Sequence, residues 1–461
     1  MSIGATQLLA SYATHLKYRQ IPGDVIARAK ACVLDTLAVA LYGSTKEWSR
    51  QVVAHVRSLG AKGPCTVLGS NWHTHASLAA LANGTMAHAF ELDSVRQPGA
   101  GVHPGATAFL PALALAECRR ADGKALLTAF VAACEVVSRI GVAAGNSLER
   151  RGFHAPALTG TFAAAVAAGK LLGLKETQMV NALGIAGSYS GGLMEFSLSH
   201  GGAMIKRLHL GKAAEGGVTA ALLAQRGFTG PASVLEGRFG FCKSFSDEPA
   251  LDSLTEGLGS VYETLNTGIK SYACHINAHA PIEGLLSLME EHRFTPSDIQ
   301  EIVIGGIEKL VSHHAIYKPE DLMAAQYSLP FCVALSLHAD PRDPASFTER
   351  QLKNQAIRKT ARIVRLKVDR EIERKGWDRA ARVTVKLKGR KESFTALTVH
   401  FKGAPRNPLS TLELQEKVGR LTKKLLSQEK LRRVIALVDR LERLTDVSQL
   451  TSPLTRLSSD N

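Results

Sequence analysis

The chain has 461 residues, 45% of them hydrophobic and 21% charged, a balance typical of globular proteins that excludes a disordered or fibrous one. Its formal net charge of +15 resides in residues 351–461, which hold 27 Lys and Arg against 12 Asp and Glu. These basic residues are interspersed with acids and no nucleic-acid motif accompanies them, which favours a solvated surface over a nucleic-acid partner.

Residues 1–266 are predicted to form a large helical domain, since the length of the chain favours more than one hydrophobic core. Apolar residues recur near a 3.6-residue period from Val25 to Leu41 and indicate a helix that stops at Gly43. Further helices are predicted over residues 105–118, 124–144, 157–172, 178–190 and 212–226. Their high Ala and Gly content predicts a layered bundle in which helix backbones approach closely.

The pattern changes after about residue 266, and residues 267–405 are predicted to form a smaller α+β lid domain. Alternation from Ile299 to Ile307 predicts a strand, and residues 381–401 predict two strands joined at Lys388-Gly389-Arg390. Helices are predicted near Pro281–His292 and Leu329–His338. Residues 406–461 are predicted to open with a capping box, Ser410 to Glu413, and to return as helices to the helical domain. The predicted fold is mainly α: a large all-α helical domain formed by both chain ends, with an inserted smaller α+β lid.

Sequence signatures of membranes, cofactors and metals are missing. No run of eighteen apolar residues and no basic leader is present, so a cytoplasmic protein that does not cross a membrane is expected. The seven cysteines form no CxxC pair, which argues against a disulfide framework or a zinc cage. The glycine groups at 187–192 and 200–204 lack the spacing of nucleotide-binding loops, and helix crossing explains them better. No metal and no organic cofactor is expected.

Polar residues within apolar or glycine-rich segments of the sequence indicate the candidate site. In chain order they are Glu91, Asp93, His103, His154, Lys206, His209, Lys270, His275 and Tyr327. Clustered Lys and His suit a multiply charged carboxylate, which must exchange its hydration for fixed donors. A neighbouring carboxylate or imidazole could take a proton from the carbon next to a substrate carboxylate.

Each of these residues also has a structural interpretation. A histidine within a helical segment is commonly a core residue with satisfied hydrogen bonds, and this is favoured for His88, His279, His313 and His314. Glu91 and Asp93 could cap the following turn. Residue types and spacing alone therefore lead to a two-domain helical protein with a candidate anion site.

The same segments resemble the MmgE/PrpD family, which includes 2-methylcitrate dehydratases, cis-aconitate decarboxylases and iminodisuccinate epimerases. The resemblance begins with RAKACVLDTLAVALYG and continues through LANGTMAHAFELD, HPGA, GFHAPALTGTFAAAVAAGKLLGL and KRLHLGKAAEGGVTAALLAQRGFTGPASVLEG. It ends with KSYACHINAH, QYSLPFCVALSL and GAPRNPLSTLELQEKV. The resemblance implies the fold described above, a homodimer, and no metal or organic cofactor.

The resemblance also implies site residues. Glu91 and Asp93 are similar to the first two acids of the family's D-x-D-D or E-x-D-D element. His103 resembles the His of its H-P motif and His154 that of GFH-P. Lys206 matches a Lys that lies three residues before a His, here His209. Lys270 and His275 match a Lys and a His that lie five residues apart, and Tyr327 matches the Tyr of the family's Q-Y motif. The chain departs from the family at Ser94 and Val95, where a second consecutive Asp and a Thr are common. The resemblance therefore supports the family more firmly than any one substrate.

The predicted function is a cofactor-independent lyase that acts on a small polycarboxylate, in the manner of 2-methylcitrate dehydratase. Such an elimination needs a base, an acid and cations that stabilise the developing charge. Lys206 and Lys270 are expected to be cations exposed in a cleft, helped by His209 and His275, while His103 and His154 are candidates for acid–base work. The alternatives are a cis-aconitate decarboxylase-like or iminodisuccinate epimerase-like enzyme or, from another class, a non-catalytic protein that binds carboxylates or nucleic acid.

Overall fold

The structure is a computed structural model that describes residues 3–97, 101–197 and 204–455, so residues 200–203 of the second glycine group lie outside the described ranges. The chain forms two compact units, Met1–Gly268 with Thr411–Asn461 and Ile269–Ser410. Helices dominate the described residues and the sheets are small, which confirms the mainly α fold class.

The amino-terminal part of the larger unit is built from consecutive helices. Their bounds are α1 (Ala5–His15), α2 (Gly23–Ser44), α3 (Glu47–Ser58), α4 (Ala76–Ala87), α5 (Leu110–Arg119), α6 (Gly123–Ala144), α7 (Ser147–Arg150), α8 (Ala155–Leu171), α9 (Glu176–Ser188), α10 (Met204–Gln225) and α11 (Phe241–Phe245). A π-helical segment, Gly105–Phe109, leads directly into α5. Helix α10 begins at Met204, well before the predicted residue 212. The prediction missed its first turns because Lys206, Arg207 and His209 interrupt their apolar period.

Glycines let α10 lie against its neighbours with almost no side chain between the backbones. A Cβ atom at Gly211 would lie 2.4 Å from the Leu81 carbonyl oxygen of α4, and one at Gly217 would lie 2.3 Å from the Thr161 carbonyl oxygen of α8. The close helix packing expected from the Ala- and Gly-rich sequence is therefore present around α10. The same packing fixes where the polar first turns of α10 lie relative to the ends of α4 and α8.

Helix α6 is long and apolar enough to cross a membrane by length and composition alone. However, 89% of its most apolar 18-residue window is buried against the rest of the protein. This is the environment of a core helix.

Two short antiparallel strand pairs also belong to the larger unit, so it is not purely α. Strand β1 (Cys65–Thr66) pairs with β2 (His73–Thr74), and β3 (Val95–Arg96) pairs with β4 (Thr267–Gly268). Arg96 reinforces the second pair through an ion pair of 2.6 Å with Glu263. This pairing fixes the chain that follows Asp93.

The smaller unit combines helices with one four-stranded sheet. Its helices are α12 (His279–His292), α13 (Glu308–His314), α14 (Leu322–Tyr327), α15 (Leu329–Ser336), α16 (Glu349–Leu352), α17 (Gln355–Ala361) and α18 (Arg370–Arg374). Its strands are β5 (Ile299–Gly306), β6 (Val364–Val368), β7 (Ala381–Leu387) and β8 (Ser393–Thr398). The sheet order is β6-β5-β7-β8, with β5 and β6 parallel and the other neighbours antiparallel. The predicted strand and the predicted hairpin are β5 and β7–β8, and α12 packs against the hairpin.

The last helices are α19 (Thr411–Thr422), α20 (Gln428–Asp439) and α21 (Ser448–Thr451), and they belong to the larger unit. Helix α19 packs against α2 and buries Leu414, Val418 and Leu421 on one face. Both ends of the chain thus contribute to one compact body.

Candidate functional site

Four histidines of the larger unit meet at helix ends. His88 ends α4, His103 precedes the π-helical segment, His154 caps the amino terminus of α8 and His209 lies near the start of α10. The ring of His88 lies 5.1 Å from that of His103 and 5.9 Å from that of His154, and the rings of His154 and His209 lie 5.1 Å apart. Helix packing therefore turns histidines far apart in sequence into one row of imidazoles.

Asp93 joins two of these imidazoles. Its Oδ2 atom lies 2.9 Å from Nδ1 of His88 and 2.9 Å from Nδ1 of His103. Burial raises the pKa of Asp93, but its contacts with His103 and His88 outweigh burial and hold this pKa well below its usual range. Asp93 is consequently ionised, and His88 donates its Nδ1–H to the carboxylate. Oδ1 of Asp93 is buried and has no hydrogen-bond partner among the described residues.

His88 is a neutral imidazole inside the protein. Burial lowers its pKa to about 3, the charge of Lys206 adds to the effect, and Asp93 only partly opposes it. Because its proton resides on Nδ1, its buried Nε2 carries a lone pair that contacts no donor among residues 3–97, 101–197 and 204–455. The sequence pattern favoured a structural role for His88, but its contact with Asp93 makes it part of the site.

His154 and His209 form a second imidazole pair. Their Nδ1 atoms lie 3.0 Å apart. Burial, and then the charge of Lys206, lowers the pKa of His154 well below its usual range and that of His209 to about 4. Both rings are therefore neutral near pH 7, and one donates to the other.

Glu91 holds two cations in the same region. Its Oε1 atom accepts hydrogen bonds from Lys206 Nζ and, at 2.8 Å, from Arg207 Nη1. All three side chains are at most 3% exposed. The expectation of a cation exposed in a cleft is therefore wrong for Lys206, since α10 carries it into the interior beside Glu91. Glu91 itself adopts a left-handed backbone conformation with φ of 57°, which an L-residue rarely takes.

The donor atoms of His88, Asp93 and His103 lie within 4.8 Å of one another, close enough to hold a metal ion. No other such group occurs in the part of the chain that the structure describes. The prediction that the protein uses no metal stays a prediction.

A second group lies in the smaller unit. The ring of His275 lies 4.2 Å from that of His314 and 4.9 Å from that of Tyr327. His314 donates Nδ1–H to the Tyr327 carbonyl oxygen at 3.0 Å, and burial, followed by the charge of Lys309, lowers its pKa to about 3. Lys270, at the start of this unit, is 2% exposed, so the expectation of an exposed cation is wrong for this lysine as well. Two of the predicted residues, His275 and Tyr327, are thus neighbours, and His314 supports them.

Asn277 and Arg379 extend this second group. The backbone N–H of Asn277 donates to His275 Nδ1 at 3.3 Å, and Arg379 Nη1 donates to Asn277 Oδ1 at 2.5 Å. Asn277 lies two residues after His275, and this proximity in the sequence could have identified it as a neighbour of the site. Arg379 lies in a strongly basic stretch and could not be distinguished there from surface arginines.

The structure therefore brings together Asp93, His103, His154, His209, Lys206 and Glu91 in the larger unit, through the pairs described above. Sequence reasoning missed His88 and Arg207 as members of this group. Ser94 and Val95, where the chain departs from the family, are both buried.

The matches to known proteins extend over nearly the whole chain. Family models for the MmgE/PrpD N-terminal domain and the MmgE/PrpD C-terminal domain match residues 7–253 and 272–443. A cis-aconitate decarboxylase from Aspergillus terreus is 30% identical over 472 residues, which cover 97% of this chain and 95% of that protein. The cis-aconitate decarboxylases of Homo sapiens and Mus musculus are 29% and 27% identical, each over 97% of this chain and over 94% and 92% of their own lengths.

Proposed function

Because the chain belongs to the MmgE/PrpD family, we propose that it is a lyase that decarboxylates a small unsaturated tricarboxylate of the cis-aconitate type. The observation that carries this proposal is the match, over 97% of the chain, to relatives named cis-aconitate decarboxylase. The same match favours the decarboxylation alternative over the 2-methylcitrate-type dehydration that the family resemblance put first.

Decarboxylation of such a substrate breaks one carbon–carboxylate bond and releases CO₂. The electron pair of the broken bond forms a new C=C bond, and the electron pair of the original C=C bond takes up one proton at the carbon next to a remaining carboxylate. The reaction therefore needs a proton donor, cations that hold the remaining carboxylates, and surroundings with little water. The larger unit offers imidazoles as proton donors, buried cations beside Glu91, and buried surroundings for both.

His103 is the proposed proton donor. Its Nδ1 lies 2.9 Å from Oδ2 of the ionised Asp93, and an imidazole beside a carboxylate is a common arrangement in acid–base catalysis. His103 is also 9% exposed, whereas His88 is fully buried, so it is the more accessible ring on Asp93. His88 completes the arrangement by holding the same carboxylate oxygen from another side.

Lys206 is the proposed cation for a substrate carboxylate in the larger unit. Its charge acts on the pKa values of His88, His154 and His209, so the ammonium lies beside the row of imidazoles. In such buried surroundings a fixed cation acts more strongly on a substrate anion than it would in water. Lys270, His275 and Tyr327 are proposed as further substrate-binding residues on the basis of family resemblance.

The proposal is tested by incubating the protein with cis-aconitate, citrate, 2-methylcitrate and iminodisuccinate and following each by proton NMR. We expect itaconate and CO₂ to form from cis-aconitate. Conversion of citrate or 2-methylcitrate to an unsaturated tricarboxylate would support dehydration, and exchange or inversion at the iminodisuccinate carbon would support epimerisation. Inertness of cis-aconitate would refute the proposed reaction.

The proposed proton donor is tested on the same substrate. His103→Gln should lower kcat by roughly 10²- to 10⁴-fold, the usual contribution of general acid–base catalysis. His15→Gln is the matched control, because His15 is an exposed histidine on α1. Near-normal kcat in His103→Gln would exclude His103 as the donor.

A further inference from the structure

Helix α19 carries one lysine that reaches the segment between Glu91 and Asp93. Lys417 is 7% exposed, and its Nζ atom donates to the Leu92 carbonyl oxygen at 3.0 Å. The same Nζ atom lies 2.5 Å from Oδ1 of Asp35, a fully buried residue of α2. A helix from the end of the chain therefore contacts the backbone that connects the two acidic site residues.

Asp35 explains why a charged lysine is stable at this position. A buried ammonium needs a counter-charge, and Asp35 supplies it. Burial raises the pKa of Asp35, Lys417 opposes this rise, and the nearby charge of Asp93 adds to it. Lys417 thus compensates Asp35 in a region that already contains the ionised Asp93.

The backbone that Lys417 contacts is held in an unusual conformation. Glu91 has φ of 57°, a left-handed conformation that is unfavourable for an L-residue and persists only when its surroundings enforce it. The turn directs Glu91 to Lys206 and Arg207 and directs Asp93 to His88 and His103. A charge-assisted hydrogen bond to the carbonyl between these two residues restrains that turn.

We propose that Lys417 is a positioning residue: by holding the Leu92 carbonyl oxygen it keeps Glu91 and Asp93 directed at their cationic and imidazole partners. Lys417 contacts neither the histidines nor a reacting group in this arrangement, and it acts through the backbone. The consequence for turnover rests on the proposed function, whereas the consequence for the backbone of residues 91–93 does not.

The alternative is that Lys417 and Asp35 are only a buried ion pair that stabilises the contact between α19 and α2. Three variants separate the two roles. Lys417→Met removes both contacts, and the double variant Asp35→Asn/Lys417→Met also removes the carboxylate left without a partner. Arg420→Met is the matched control on the same helix, since the Arg420–Glu416 pair lies at the surface.

Thermal stability, kinetics with cis-aconitate and hydrogen–deuterium exchange of residues 88–97 are measured for all variants. We expect Lys417→Met to lower kcat about tenfold or more with KM changed by less than about threefold, as for loss of one charge-assisted hydrogen bond that orients a catalytic group. Exchange of the amides at residues 92 and 93 should rise by a similar factor. The double variant should regain thermal stability but neither kcat nor slow exchange, and Arg420→Met should resemble the wild type.

Recovery of kcat and slow exchange together with stability in the double variant would show that the ion pair is only structural and would overturn the proposal. If Lys417→Met does not fold, the double variant carries the test, because it contains no unpaired buried carboxylate. If the wild type does not convert cis-aconitate, the proposed function fails, and the exchange of residues 91–93 still decides whether Lys417 positions them.

Discussion

Lys206 places a charge in the protein interior, and this changes what its replacement should do. Its side chain is 2% exposed and shares Glu91 with Arg207, so removing the ammonium leaves a buried carboxylate with fewer cations. Removing one partner of a buried pair is destabilising, in contrast to the small effect of an exposed pair. Function and stability are therefore coupled at this residue.

Lys206→Met should lower kcat/KM by roughly a hundredfold or more, as for loss of one cationic contact in a buried site. It should also lower the free energy of unfolding by on the order of 3 kcal/mol. Lys212→Met is the control on the same helix, because the Lys212 side chain is largely exposed. Steady-state kinetics and urea unfolding check both effects, and near-normal turnover in Lys206→Met would exclude it as a substrate cation.

The buried imidazoles should make the protein sensitive to mild acid. His88 has a pKa of about 3 when folded, against about 6.5 in an unfolded chain. Between these values the unfolded state binds more protons, so the free energy of unfolding falls as the pH is lowered from about 6.5. The lowered pKa of Asp93 affects stability at lower pH. The free energy of unfolding that it contributes is present above about pH 4 and is lost below it.

His88→Gln should make the free energy of unfolding less dependent on pH between about pH 6.5 and 4.5, by up to one proton. The amide can still donate to Asp93 but does not titrate. His15→Gln, at an exposed position, should leave the dependence unchanged. Urea unfolding across this range is the measurement, and equal slopes for His88→Gln and the wild type would contradict the assignment of a buried neutral imidazole.

Turnover should be insensitive to chelators, because the sequence has no ligand-spaced Cys and His set and Asp93 already contacts both imidazoles. The check is dialysis against EDTA followed by kinetics, with the metal content of the purified protein measured in parallel. A stoichiometric metal whose removal abolishes turnover would instead assign His88, Asp93 and His103 as its ligands.

At the scale of elements, α10 is the helix that assembles the site, and its adjacent glycines Gly216 and Gly217 provide a test. A Cβ atom at Gly217 would lie 2.3 Å from the Thr161 carbonyl oxygen, whereas one at Gly216 would lie 3.5 Å from Tyr189, an ordinary contact. Gly217→Ala should therefore destabilise the protein by about 1 to 3 kcal/mol through overpacking. Gly216→Ala should be neutral or stabilise it by up to about 1 kcal/mol. Thermal melting measures both, and equal shifts would contradict the backbone contact between α10 and α8.

The elements also show what sequence reasoning can reach. Apolar period and turn residues predict most helices and the β7–β8 hairpin, because these depend on local chemistry. Strand β6 was not predicted, since only Val364 of its five residues is buried and its charged residues resemble a surface loop. Their position as polar residues within apolar segments predicts His103, His154 and Lys206 as site residues. Their partners depend on how α4, α8 and α10 cross, and for that reason the Glu91–Lys206 pair and the role of His88 appear only in the structure.

At the scale of the whole molecule, the larger unit is formed by both ends of the chain, and α19 ties its last part to α2 and to the site segment. Residues far apart in sequence must therefore come together before the site is complete. Truncation of the carboxy-terminal helices would remove Lys417 and leave Asp35 without its cation.

The remaining prediction concerns association of whole chains. Family resemblance predicts a homodimer, and the Ala- and Gly-rich helices are compatible with close packing between copies as well as within one. Sedimentation equilibrium at micromolar concentration should give twice the chain mass of 49.4 kDa. If the dimer is the active form, specific activity should fall on dilution below its dissociation constant, because mass action then favours the single chain. A single species of 49.4 kDa with undiminished specific activity at all concentrations would refute the dimer.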